Sequence, residues 1–140
     1  MGIVIDTDVW VLAEKSGGAL DLARWAHYEG AYMSAITASE LLFGVERANT
    51  PGRRALRSAF VENLLTAVPV LDFSASVARA HARMVAALPK HVTAGAHDAL
   101  IAATAIHHGH AVLTRNVADF QLFAGLTVEA FKLPAAEDSV

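Results

Sequence analysis

The chain has 140 residues, 54% of them apolar and 18% charged, with a formal net charge of −3 and no cysteine. That length and apolar content suit one domain with a sizeable core and exclude disorder, while the missing thiols exclude disulfides, zinc–thiolate centres and a cysteine nucleophile. The slight acidity argues against a broad basic groove for duplex nucleic acid. Apolar runs fall short of the ~20 residues of a membrane span, and Asp6 and Asp8 interrupt the N-terminus too early for a secretory signal, so a cytoplasmic protein is expected.

In chain order, Ile3 to Ile5 reads as a short strand with no alternation, as in a sheet covered on both faces. A helix is expected from near Asp8 to Ser16-Gly17-Gly18, and a second from about Ala19 to Glu29, closed by Gly30. Ala31 to Ala35 is strand two. Thr37-Ala38-Ser39-Glu40 has the Thr-x-x-Glu form of a capping box and opens a helix to about Ala48. Pro51-Gly52 punctuates, and Arg53 to Thr66 is helical with Leu56, Ala59, Phe60 and Leu64 on one stripe. Val68 to Phe73 is a strand whose Pro69 suits an edge. An Ala-rich helix covers Ser74 to Leu88, a loop covers Lys90 to Gly95, and a further helix runs from His97 to His108, closed by Gly109. Ala111 to Thr114 is strand four, Leu126 to Phe131 a final strand, and the remainder a frayed tail. The alternation implies a three-layer α/β/α sandwich around a mainly parallel sheet of four to five strands, with right-handed crossovers. One domain over 1–133 and a flexible tail over 134–140 are expected.

Acidic or amide residues recur where a strand hands over to a helix: Asp6, Glu40, Asp98 and the pair Asn116/Asp119. Ligands of open parallel sheets bind beyond the carboxyl ends of the strands. Oxygen-bearing side chains delivered to that edge suit Mg2+ or Mn2+, which are content with two or three carboxylates and several waters. Two unit charges ~4 Å apart repel by roughly 4 kcal/mol at an effective dielectric of 20. Such a set is therefore metal-filled, partly protonated or not a cluster. Each member also has a plain capping role: Glu40 in its box, Asp98 in a first turn, Asn116 starting a turn that contains Asp119, and Asp8 as cap of the first helix. Asp6 fits capping least, since one cap suffices. Asp98 opens a helix that is apolar all round, where an unpaired carboxylate is costly. His107, His108 and His110 sit at a helix end that favours cations and lack further ligands for zinc. His97 is an outer neighbour or a substrate contact. Gly44, in mid-helix one turn from Glu40, suggests close approach of another backbone. Arg47, Arg53, Arg54 and Arg57 fall within eleven positions and read as a solvated face or an attractor of phosphate or an acidic partner.

These stretches, Ile3 to Val9, Ser34 to Gly44, His97 to Ala105 and Leu113 to Phe120, together resemble the PIN domain, and the whole chain resembles the VapC toxin ribonucleases of type II toxin–antitoxin systems. The resemblance implies an Mg2+- or Mn2+-dependent endoribonuclease, a cognate VapB-type antitoxin and a toxin homodimer. It points to Asp6, Glu40 and Asp98 as the acidic core. Family members carry a further carboxylate where Asn116 stands or three residues later, so Asp119 is assigned, with Asn116 as a neutral ligand or substrate contact. Asp6, Asp98 and Asp119 would hold the metal. Asp8 stands where asparagine is frequent, adding charge while keeping an oxygen donor. Thr7 and Thr114 are expected to hydrogen-bond site carboxylates or water. The surface of residues 41–65 is expected to meet the antitoxin.

Two other readings compete. Ile3-Val4-Ile5-Asp6-Thr7-Asp8-Val9 also resembles the first motif of haloacid-dehalogenase-type phosphatases, with Asp6 as nucleophile, although no second acidic pair follows a late strand in the form such an enzyme needs. The third is a non-catalytic interaction module whose acids only cap helices.

Overall fold

The computed structural model describes residues 1–18 and 20–132; Ala19, position 133 and the expected tail over 134–140 lie outside the described residues. Five strands form one sheet: β1 (Ile3–Ile5), β2 (Ala31–Ser34), β3 (Val70–Leu71), β4 (Ala111–Thr114) and β5 (Val128–Ala130). Their order is β3-β2-β1-β4-β5, and every pairing is parallel. In register, Val4 lies between Tyr32 and Val112, and Ile5 faces Leu113.

Among the described residues, six helices cover the two faces: α1 (Thr7–Lys15), α2 (Ala35–Glu46), α3 (Pro51–Ala67), α4 (Ala75–Ala86), α5 (Ala96–His108) and α6 (Val117–Phe120). The period-2 geometry of β1 divides the core. Ile3 and Ile5 point to one face, where Val9 and Trp10 of α1, Leu41 and Val45 of α2, and Val61 of α3 pack. Val4 points to the other, against Ala99, Ile101, Ala102 and Ala105 of α5 and Phe120 of α6. Both faces being covered explains the continuous apolar runs of β1 and β4, all of whose residues are buried. The chain grows from β1 outward through β2 and β3, then returns across the sheet to β4 and β5. The switch point therefore lies between β1 and β4, and the crevice beyond their carboxyl ends is where such folds bind ligands.

Several expected elements differ. The helix expected over Ala19–Glu29 is only a 3₁₀ turn at Ala23–Trp25. There the Asp21 carboxylate accepts from the Ala23 amide at 2.9 Å, a local bond that competes with helical pairing, while Trp25 is anchored against Phe131 with ring centroids 5.5 Å apart. Helix α2 starts at Ala35 because Ser34, not Thr37, is its cap: the Ser34 hydroxyl accepts from the Thr37 amide at 3.0 Å. The expected capping box does not form, and Glu40 falls in the second turn. Helix α3 starts at Pro51, whose ring suits a first helical position, with Thr50 as cap. On its expected apolar stripe Leu56 and Ala59 are exposed, and the residue buried is Val61. Strand β3 is an edge strand, as Pro69 implied, but only two residues long. Gly109 closes α5 with φ 70°, a left-handed conformation that glycine adopts freely. No helix among the described residues is long and apolar enough to cross a membrane.

Candidate active site

The β1–β4 pairing continues one step past the sheet, where the Asp6 amide donates to the Leu113 carbonyl at 2.9 Å. This carries Asp6 into the switch-point crevice beside Thr114. Asp6, not Asp8, caps α1: its Oδ1 accepts from the Thr7 amide at 2.8 Å, and its Oδ2 accepts from the Thr114 hydroxyl at 2.8 Å. The expectation that capping explains Asp6 poorly is thus corrected, since one carboxylate serves as cap and crevice acid together. Asp6 is only 4% exposed. Burial first, and then the charge of Asp8, push its pKa up to about 7, against the pull of the hydrogen bonds from Thr114 and Thr7; Asp98 adds to the rise. Thr114 also accepts from the Asn116 amide at 2.9 Å, which folds the chain after β4 back toward the crevice.

Glu40 reaches the same place from α2. Its Oε1 accepts from the Thr7 hydroxyl at 2.8 Å, and its Oε2 lies 3.2 Å from His97 Nδ1 on α5. Thr7 Oγ1 also lies 3.0 Å from Thr37 Oγ1, which in turn lies 3.3 Å from Ser34 Oγ. A hydroxyl has one hydrogen. If that of Thr7 goes to the carboxylate, the charge-assisted choice, then Thr37 donates to Thr7 and Ser34 to Thr37. The three hydroxyls thus form a one-way chain ending on Glu40.

Asp98 lies in the first turn of α5 and is half-buried. Its pKa is raised, chiefly by burial and then by the charges of Asp119, Glu40 and Asp8, with His97 opposing. The acids acting on Asp6 and Asp98 therefore include Asp8, Glu40 and Asp119, so side chains from four separate chain segments share one electrostatic neighbourhood. Asp8 accepts a long bond, 3.4 Å, from the Arg115 amide. Asp119 and Asn116 are exposed on the turn that follows β4. Among the described residues no three acidic or imidazole groups stand close enough together to hold one ion by themselves. An all-oxygen donor set with waters completing the shell remains what a hard cation such as Mg2+ accepts.

Three contributors had weak sequence signals. Thr37 looked like a cap and is a link in the hydroxyl chain. His97 was placed as an outer neighbour or a substrate contact and touches Glu40. Gly95 caps α5 without a side chain, and a Cβ there would lie 3.1 Å from Asp98 Oδ2. Gly44 meets no foreign backbone, contrary to expectation; a Cβ there would find only Arg57 Cδ, at 3.8 Å. Of the arginines, Arg54 pairs with Glu46 and Arg57 with Glu14, and Arg47 lies over the Phe43 ring. His110 accepts from the Gly2 amide at 3.0 Å, at the opposite end of the sheet from the crevice.

A parallel sheet with an acidic crevice at its switch point is the arrangement of the PIN domain, and residues 3–126 match that family. Ribonuclease VapC1 of Rickettsia felis is 41% identical over 129 residues, covering 91% of this chain and 95% of that protein. Among solved structures, VapBC2 from Rickettsia felis bound to a promoter DNA fragment superposes with a TM-score of 0.82 at 23% identity, covering 94% of this chain and 100% of that one. DNA-bound VapBC from Salmonella typhimurium gives 0.78 at 26% identity, covering 93% and 98%. The chain belongs to the PIN-domain family and, within it, to the VapC-type toxins.

Proposed function

We propose that this chain is the endoribonuclease toxin of a toxin–antitoxin pair, cleaving single-stranded RNA with the aid of Mg2+ or Mn2+ and silenced by a VapB-type antitoxin. The observation that carries the proposal is Asp6, buried at the switch point and bonded to Thr114, with Glu40 tied to Thr7 beside it and with the charges of Asp8, Glu40, Asp98 and Asp119 acting on Asp6 or Asp98. Apart from His97, the nearby charges acting on Asp6 and Asp98 are acidic, so a divalent ion would relieve an arrangement that is costly without one. Asp6, Asp98 and Asp119 would hold it together with bridging waters that complete its shell. When bound, the ion would lower the pKa of a water and offset charge developing on the phosphoryl oxygen.

The protein's own groups do the rest. Thr7 and Thr114 hold Glu40 and Asp6 in fixed orientations by hydrogen bonds of 2.8 Å. Glu40, gripped at both oxygens, orients the attacking water, and Asp119 completes the pocket. Asn116 offers the substrate a neutral amide, and Asp8 adds an oxygen donor at the rim. The exposed apolar side chains Leu42, Phe43 and Leu56 are the surface we assign to the antitoxin and to a second copy of the chain. Action on RNA in the cytoplasm follows from this reading.

The test uses purified protein, an unstructured RNA, and Mg2+ or Mn2+. Asp6→Asn and Asp98→Asn should each abolish cleavage while the circular dichroism of the protein matches that of the parent and its melting point is no lower. Metal-dependent cleavage retained by both variants would overturn the assignment.

A further inference from the structure

Beside the acidic crevice, α1, α2 and α3 enclose a second space that the proposed chemistry leaves unused. It measures about 270 Å3 and shares Glu40 with the crevice as one wall. Val11 and Leu41 give it an apolar lining, and Glu14, Lys15, Gly44 and Arg57 complete it. Gly44 keeps the α2 wall low. Glycine is unfavourable in a helix interior, yet a Cβ here would meet only Arg57 Cδ at an ordinary 3.8 Å, so packing within the protein does not require it. The Arg57 guanidinium is pinned along two edges: Nε donates to Glu14 Oε1 at 3.1 Å, and Nη1 donates to the Gly44 carbonyl at 3.0 Å. Its charge is already answered by Glu14, so it lines the cavity as a fixed, paired group more than as an unpaired cation. Lys15 is exposed and has no carboxylate within 4.0 Å among the described residues.

We infer that this cavity is a base-binding subsite, in which a nucleotide flanking the scissile phosphodiester stacks its base on the Arg57 guanidinium while Lys15 meets a neighbouring phosphate. The inference rests on the ribonuclease reading and adds a source of sequence preference to it. Unpaired RNA bases are commonly read by stacking on arginine planes. The volume lies below the roughly 300–1,000 Å3 of ordinary ligand sites and suits one base, not a larger ligand. The wall shared with Glu40 places that base next to the bond to be cut.

Two variants separate shape from charge. Arg57→Lys keeps the charge and removes the plane. Gly44→Ala narrows the cavity without touching charge, and it should fold well, because alanine favours helix. In cleavage of short unstructured RNAs differing one base at a time around the cut, both variants should raise KM about tenfold, the scale of one lost stacking contact. The change should fall on KM more than on kcat, and the preference for one flanking base should flatten. Unchanged KM and unchanged preference in both variants would overturn the subsite and leave the ribonuclease reading intact. Normal cleavage by Arg57→Lys with lost inhibition by the antitoxin would also overturn it, giving the cavity to the protein partner. A binding measurement decides the matter even if no RNA is cleaved. On Asp98→Asn protein, a 2-aminopurine placed at the flanking position should be quenched on binding, and Arg57→Lys should remove the quenching. A fluorescent base left unquenched at every flanking position would refute the inference.

Discussion

Replacing Thr114 by valine keeps the volume of a fully buried side chain and deletes one hydroxyl with two partners, Asp6 Oδ2 and the Asn116 amide. The amide belongs to an exposed residue and can turn to water. The carboxylate cannot. A hydrogen bond to a charged group is worth about 1.5–3 kcal/mol, or about one to two pKa units at 1.36 kcal/mol each. In the metal-free protein Asp6 already titrates at about 7, and the Thr114 bond is among the influences holding it down. The variant should therefore titrate at about 8 to 9, and its ionised fraction at pH 7 should fall from about a half to a tenth or less. Because an ion binds the carboxylate and not the acid, affinity for Mg2+ at pH 7 should drop about five- to fiftyfold by calorimetric titration. At pH 8.5 the deficit should narrow to about fourfold or less. A deficit of equal size at both pH values would mean that Thr114 acts by geometry and not through the proton. No deficit at either pH would remove Asp6 from the ion's ligands.

Three further outcomes follow. The folded pKa of Asp6 is raised, so its contribution to stability is fully present below its unfolded value near 3.8 and is lost as pH rises through about 7; metal-free Asp6→Asn should therefore melt above the parent at pH 8, with the gap shrinking by pH 5, and a gap independent of pH would contradict the shift. Gly95→Ala should melt close to the parent, since the backbone at φ −60° tolerates alanine, yet it should cleave RNA several-fold more slowly because its Cβ crowds Asp98 Oδ2; unchanged cleavage would show that Asp98 can move without consequence. The pKa of His110 is lowered, by burial first and then by His108 and the N-terminal amine, so its stabilising contribution is complete above about 6.5 and is lost as pH falls through the lower folded value. His110→Phe, which keeps the stacking on Tyr32 but removes the acceptor for Gly2, should flatten this acid loss in thermal melts, and an identical pH profile would refute it.

What could be read without coordinates were the segments whose character is local. Strand β1 and β4 up to Leu113 are apolar runs, α5 is apolar on every side, and Gly109 marks its end, so Asp6, Asp98 and the Asn116/Asp119 pair could be located from their immediate neighbours. Where two residues compete for one role, local reading fails. Ser34 and Thr37 are both good caps, and only the end of β2 decides that Ser34 takes the position and frees Glu40. Over 19–29 the apolar spacing looked helical, but the Asp21 turn and the anchoring of Trp25 on Phe131, more than a hundred residues away, prevail. The chain from Ser34 through Thr37 and Thr7 to Glu40 joins β2, α2 and α1, and no spacing along the sequence announces it. Leu56 has the right period for a buried stripe and faces outward because the α3 contact with the core is narrow.

The bond between Asp6 and Thr114 closes a gap of 108 positions across the one place where the order of strands reverses. A ribosome making this chain releases Asp6 and Glu40 before Asp98 and the β4 turn. Until those later segments have emerged and docked, the growing polypeptide holds only part of its acidic crevice.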